Sequence, residues 1–503
     1  MNFRLLGILI FLPFILPAQH IVYSQPETDD TRKTDFEIIG RVGGNVLIFK
    51  SARSDNAISV YNPQMDLVQR VALPYLPEHY SNIDFVQYPD FFYMLCEYRK
   101  KNIVHLTAFK LDGMAQVIGD AVDLDTTIIS GAGNDAKIYT NIVSEDKQKI
   151  MALKINTKNP RTFAFTSFLY GKNLELIDRH MIVMPVQDRS EMFTNFALDN
   201  EGELVFTRFA RTGGRDYISH VSIVSKGPLA DTFAFRSLGD GDRILDEPIL
   251  KVDNYNKRYL ITAFYYRQRH GNIEGLYTVI WDKTSDSKIS DAVTILNDDL
   301  RVLAKSSESN VKMAFNDYFI KKIIVKKDGG YLMISEAEFT TTRGTNFNRS
   351  DFMYGPMSPV DYYASPYSYY SPYSPYSRYG PTTANRYNAE NITVLSFDKN
   401  SNLEWSNVIP KSQFDDEGSS QLSYQTVNTG GALHFLYNQF DKRTLLLMDQ
   451  SISADGKVTR LPTFHNLDKG YTFMPRYGKQ VASNQIVIPC QYKNYLCFAK
   501  IDF

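Results

Sequence analysis

One unit recurs along this chain: a β-strand, a short polar turn and a second β-strand. Its clearest copies are Met94-Leu-Cys-Glu-Tyr-Arg-Lys-Lys-Asn-Ile-Val-His-Leu106 and Ile488-Pro-Cys-Gln-Tyr-Lys-Asn-Tyr-Leu-Cys-Phe498. Eight such units can be traced, at 46–61, 91–111, 136–156, 203–224, 258–282, 331–397, 432–450 and 485–503. Within each, apolar and polar residues alternate or apolar residues run in short blocks, the patterns of half-buried and fully buried strands. Leu260-Ile-Thr-Ala-Phe-Tyr-Tyr266 and Leu433-His-Phe-Leu-Tyr437 show this best. No stretch of a dozen residues carries a capped 3.6-residue period, so little helix is expected. Such a chain has to fold as a repeat of small sheets.

A second signal extends the unit. Short Asp/Asn/Gly turns follow several hairpins and lead into one more strand, as at Leu111-Asp-Gly-Met, Phe397-Asp-Lys-Asn-Ser-Asn-Leu-Glu-Trp405 and Ser453-Ala-Asp-Gly-Lys-Val458. Asp bonds its own backbone there and Gly tolerates positive φ. A preceding strand is visible at Asn82-Ile-Asp-Phe-Val86 and Phe473-Met-Pro-Arg-Tyr477. Four strands per unit, spaced about 45–70 residues apart, predict an all-β fold: a single β-propeller of seven or eight four-stranded blades over 36–503. The last unit stops after its third strand, and Phe36-Glu-Ile-Ile39 could complete it, closing the ring. Tandem β-sandwich domains are the alternative, but they need linker-like boundaries every ~100 residues and only one such stretch exists. The chain resembles β-propellers, and in style it is similar to exported proteins of Bacteroidota. It carries no Trp-Asp repeat, kelch double glycine or sialidase-type Asp box.

Composition narrows the function classes. Aromatic residues make up 13% of the 503, which suits strands, and 55 Lys and Arg against 56 Asp and Glu leave no basic excess for nucleic acid. At the N-terminus, Arg4 precedes an apolar run that is short for a membrane span and broken by Pro13, the form of a secretory leader. Val22-Tyr-Ser24 predicts removal of 1–24, followed by a flexible segment at 25–35. No other segment approaches a transmembrane helix. The expected location is periplasmic or extracellular, with association with the outer membrane left open. The first Cys is Cys96, so no lipid attachment site is available at the cut. With Lys493-Asn494 as a two-residue turn, Cys490 falls opposite Cys497, where either a disulfide or two buried thiols would fit. Cys96 is expected as a core thiol.

The one stretch that does not repeat is 345–391, with ten Tyr and six Pro and the triplets Ser365-Pro-Tyr, Ser371-Pro-Tyr and Ser374-Pro-Tyr376. Strands at 331–340 and 392–397 read as halves of one hairpin, so it is an insertion within a blade. Tyr offers a flat apolar face plus a hydroxyl for few frozen torsions, which suits adhesive or carbohydrate-stacking surfaces. Tyr362, Tyr363, Tyr367, Tyr369, Tyr370, Tyr373 and Tyr376 are the candidate ligand-binding residues; the bland counterpart is a tolerated low-complexity loop.

Other constellations read as structure. The acidic run 240–247 lacks the ligand series of a calcium loop because Ile244 and Leu245 interrupt it, so it is an inter-blade turn. Asn297-Asp-Asp299 and Asp415-Asp-Glu417 are read as solvated turns. The eight His residues show no zinc-ligand spacing, and His105 and His434 are expected as packed strand residues with a satisfied ring nitrogen. There is no Gly-x-Ser-x-Gly elbow and no phosphate-cradling loop. No catalytic residue, metal site or cofactor is assigned. The expected function is a non-catalytic binding or scaffold module with a protein or carbohydrate ligand. The alternative is a carbohydrate-active hydrolase or lyase whose acidic residues are scattered along the chain and meet in the funnel. Carboxylates from three or more units in the funnel would favour the enzyme, and an apolar plug would disfavour it.

Overall fold

The computed structural model describes residues 20–27, 29, 34–52, 55–77, 80–129, 138–159, 162–185, 191–212, 217–239, 243–246, 248–268, 271–307, 309–342, 385–416, 420–441, 444–460 and 470–503. Antiparallel four-stranded sheets follow one another as eight blades in a ring. Blades 1 to 7 span 35–72, 80–128, 139–185, 191–237, 249–295, 318–415 and 424–460; blade 8 is built from 471–502 and the N-terminal strand His20–Tyr23. Blades 4 and 5 are stitched together by the two-residue strand Ile244–Leu245, which bonds to both. In each blade the first strand is innermost. The middle two strands are buried on both faces, and the outer strand of blade 1, Leu67–Ala72, is largely exposed.

The ring is visible in its packing. Eight apolar clusters occupy the eight seams between neighbouring blades. The closing seam joins Phe36, Ile38 and Ile48 of blade 1 to Val487, Leu496 and Phe498 of blade 8. Each fully buried side chain of this size contributes about 1.5–3 kcal/mol. A second recurring device sets the turns at one end of the blades. Asp112 Oδ1 accepts from the Met114 and Gln116 amides, both at 2.8 Å, with Ala115 at φ 56°. Asp398 does the same for Asn400 and Asn402, with Ser401 at φ 67°. Gly456 fills the positive-φ place in blade 7, where a Cβ would meet the Trp405 ring at 2.7 Å.

Seven of the eight expected units are the central hairpins of their blades. The third is displaced by one strand: the central hairpin of blade 3 pairs Lys149–Asn159 with Thr162–Gly171, and 139–143 is the inner strand. The two halves flanking the insertion pair as expected, from Tyr331↔Phe397 to Thr342↔Asn385. Asn297 is not a solvated turn; its Oδ1 caps the helix α1 (Asp298–Ala304) by accepting from the Leu300 amide at 2.9 Å.

Ring closure differs from the expectation at Phe36–Ile39. Those residues lie in Asp35–Val42, the inner strand of blade 1. The outer strand of blade 8 is His20–Tyr23, paired with 499–502. Ser24 extends the pairing, its amide donating to Phe498 O at 2.8 Å and its Oγ accepting from the Phe498 amide at 3.0 Å. His20–Ser24, inside the expected leader 1–24, are paired with the edge of blade 8 in this structure. The described part of 25–35 is tethered. Glu27 lies 2.6 Å from Lys50 Nζ and Asp29 3.5 Å, and Lys50 itself is fully buried. A buried ammonium without a carboxylate costs several kcal/mol, so this segment completes the core.

Candidate functional site

The seven candidate tyrosines, Tyr362 to Tyr376, lie outside the described residues. The blade that carries them is pinned by a buried ionic network. Lys411 and Glu336 are both fully buried and 2.7 Å apart, and Ser423 Oγ donates to the same carboxylate at 2.5 Å. Glu338, two residues on, is paired with Lys321 and with Arg476 at 2.8 Å. Burial works against ionisation there, but the two cations overcome it and hold the Glu338 carboxyl well below the usual carboxylate range. Arg476 sits in the short 3-10 turn Pro475–Tyr477 that interrupts the inner edge of blade 8.

Cys490 is directly opposite Cys497, as the two-residue turn requires, with both side chains buried and the sulfurs 2.9 Å apart. Cys96 is a buried thiol, pushed up to about 12 by burial and then by the Glu97 carboxylate. His434 Nδ1 lies 3.0 Å from Asp449, whereas His105 stacks on Tyr98 and its buried Nδ1 has no partner among the described residues. His180 is held at both ring nitrogens, by Asp178 and Asp231. None of these forms a nucleophile–base set. Among the described residues, no group of three His, Cys, Asp or Glu could hold a metal ion.

The site that the architecture does assemble is a belt around the central channel. Each inner strand contributes a polar residue: Glu37, Asp84, Asn141, Asn195, Lys251, Lys322, Thr426 and Lys479. Seven of them pair across the sheet with a buried apolar residue of the second strand: Phe49, Leu95, Ala152, Leu260, Ile334, Phe435 and Val487. Asn195 stands in a bulge at φ 58° and donates to Pro248 O of the next blade at 2.7 Å. Inner-strand residues such as Ile38, Leu250 and Val252 pack in the seams, whereas Lys322 is exposed and Glu37, Asp84, Asn141, Lys251 and Lys479 are partly exposed, so solvent reaches the inner edge of the ring.

Contacts run round the belt from blade to blade. Asn141 Nδ2 donates to Asp84 Oδ2 at 2.7 Å, Lys322 Nζ to Thr426 Oγ1 at 2.9 Å, and Lys479 Nζ to Ile39 O at 3.0 Å. Carboxylates stand on blades 1 and 2, and lysines stand on blades 5, 6 and 8, with Lys479 on the blade that adjoins Glu37. Burial pushes the Glu37 carboxyl up to about 7; the Lys479 ammonium opposes that shift and the Asp84 charge adds to it. Burial lowers the Lys322 ammonium, and the Lys251 charge lowers it further. Lys147, in a turn of blade 3, is lowered by burial and by Lys479, which places its charge in the same interior field.

The belt satisfies neither sequence criterion cleanly. It is no apolar plug, yet its carboxylates come from two adjoining blades instead of three. Arranged this way, it can hydrogen-bond and hold charged groups, and the raised Glu37 carboxyl can exchange a proton near neutral pH. A signal for the belt was present in the sequence: every member except Lys479 is followed directly by Ile, Phe or Val.

No family model and no curated protein matches the chain. Solved structures it is similar to include a polysaccharide lyase described as a PL25 ulvanlyase, at 10% identity over 82% of this chain and 90% of that one, with TM-score 0.37. Polysaccharide lyase Uly1 matches at 9% over 96% and 98%, with TM-score 0.40. Prolyl oligopeptidase B from Galerina marginata matches at 6%, over 92% of this chain but 56% of that one, with TM-score 0.41. Overlaps this loose say nothing about chemistry.

Proposed function

We propose that the protein is an exported, non-catalytic binding module whose solvated channel receives the ligand. The belt carries this reading: each of the eight inner strands contributes a polar residue, and seven of these stand opposite a buried apolar residue. Polar groups inside a packed ring cost desolvation free energy unless they are satisfied, and part of the belt lacks a partner among the described residues. The insertion leaves blade 6 at the end of the blades where the blade-to-blade connections also run. Tyr362, Tyr363, Tyr367, Tyr369, Tyr370, Tyr373 and Tyr376 would add flat apolar contact beside the channel. Export to the periplasm or beyond, with the leader cut upstream of His20, keeps the closing strand. In that oxidising setting Cys490 and Cys497 give two protons and two electrons to a disulfide oxidant and close as a bridge, leaving Cys96 as the one alkylatable thiol under denaturing conditions.

Arrays of envelope glycans and extracellular peptides test the reading with three proteins: wild type, Asp84→Asn/Lys322→Gln, and a deletion of 350–388. Hits lost in the channel variant support it. Hits lost only on deletion move the site to the insertion, and hits indifferent to both overturn it.

A carbohydrate-active hydrolase or lyase is the second reading, favoured by the Glu37 carboxyl held near neutrality beside Asp84. Turnover of an acidic polysaccharide that vanishes in Glu37→Gln would establish it. Equal turnover in the two proteins would remove Glu37 from the chemistry.

A further inference from the structure

Most buried lysines in this protein have a carboxylate. Lys50 pairs with Glu27, Lys154 with Asp125, Lys226 with Asp178, Lys283 with Asp199 and Lys411 with Glu336. The three lysines of the belt depart from this pattern: Lys479 donates to the Ile39 carbonyl. Lys322 has one side-chain partner among the described residues, the neutral hydroxyl of Thr426, and Lys251 has none. Their inner strands, Ile249–Asp253 and Tyr318–Val325, are adjacent and in contact. Leu250 and Val252 pack towards blade 4, which turns the alternate residue Lys251 towards blade 6. Ile320 and Ile323 pack in the seam with blade 5, which turns Lys322 towards Thr426 of blade 7, so the two ammonium groups stand on neighbouring inner strands, and neither has a carboxylate partner among the described residues. Across the belt three lysines stand against two carboxylates, and one of those, Glu37, is driven towards its neutral form.

We infer that Lys251 and Lys322 form the subsite for an oxyanion, a carboxylate or a sulfate or phosphate ester, on the ligand of the channel. The inference rests on the binding-module reading and names the charge of its ligand. An oxyanion between two ammonium groups gains charge-assisted hydrogen bonds from both and removes their mutual repulsion. Asn195 at one end and Thr426 at the other flank the pair with neutral groups, so no carboxylate of the belt adjoins it.

Competitive acetylation of the full chain with sulfo-N-hydroxysuccinimidyl acetate, read lysine by lysine by peptide mass spectrometry, tests this without altering the protein. Two probes are used at matched ionic strength against chloride: inorganic sulfate for a free oxyanion, and trigalacturonate for carboxylates on an oligomer. Labelling of both Lys251 and Lys322 should fall at least threefold, with the exposed Lys399 and Lys493 unchanged. Protection by sulfate means that a free oxyanion suffices. Protection by the uronate alone means that the subsite belongs to a longer ligand. Protection of neither lysine, or equal protection of all four, overturns the inference. In Lys322→Gln the protection of Lys251 should be lost; if it persists, the two do not act as a pair. Belt-dependent array hits without this protection would remove the subsite alone. Protection without any belt-dependent hit would remove the binding-module reading alone.

Discussion

Lys411 and Lys322 belong to the same blade and lead opposite lives. Lys411, on the outer strand, is sealed in the seam with blade 7, bonded to Glu336 at 2.7 Å, to Ala389 O at 2.9 Å and to Gln413 Oε1 at 2.9 Å. Lys322, on the inner strand, stands exposed in the channel on a single neutral hydroxyl, with Lys251 as its charged neighbour. The seams treat charge as a structural part that must be matched on the spot. The channel leaves charge unmatched and wet. A lysine in the first setting holds blades together, and a lysine in the second is available to a ligand.

The difference can be broken by substitution. Lys411→Met leaves the Glu336 carboxylate buried without its cation and should cost about 3–5 kcal/mol by urea unfolding. A loss below about 1 kcal/mol would mean that the network is not structural. Adding Glu336→Leu should restore most of the stability, because replacing both members of a buried pair is close to neutral.

Glu37 sharpens the contrast through pH. Its carboxyl is raised from 4.5 to about 7, so between those values the folded chain binds more protons than the unfolded chain. Stability therefore falls as pH rises through that window and levels off above it. The fall attributable to Glu37 is at most about 3 kcal/mol, and less after solvent screening. Glu37→Gln should flatten that part of the profile, and an unchanged profile would show that Glu37 titrates normally.

Lys322→Gln should have the smallest effect on folding. It loses no ion pair and relieves Lys251, so stability should stay within about 0.5 kcal/mol of wild type or rise.

How far the sequence reached follows the same division. The central hairpins were legible because their strands are buried on both faces and read as apolar runs, and the Asx turns between strands declare themselves by residue type. The opposition of Cys490 and Cys497 followed from a two-residue turn and nothing more. The closing strand His20–Tyr23 was missed because it directly follows the apolar N-terminal run and reads as its end. Lys50, inside Ile48-Phe-Lys50, was a visible anomaly: a charge in a buried run predicts a partner, here Glu27. The belt was hidden for a different reason. Its eight members share the inner strand but not a chemistry, running from Glu37 through Asn141 to Lys322. Repeat-to-repeat comparison by residue type therefore passes over them, and the Ile, Phe or Val that follows seven of them is too common in strands to single them out.

The most direct test of the belt is a single double variant, Lys251→Gln/Lys322→Gln, measured for urea unfolding and for binding of the wild-type ligand from the same preparation. Held for a ligand, the two lysines can go with the unfolding midpoint unchanged while binding is lost. A midpoint that drops as far as that of Lys411→Met, or binding that survives, would contradict the account.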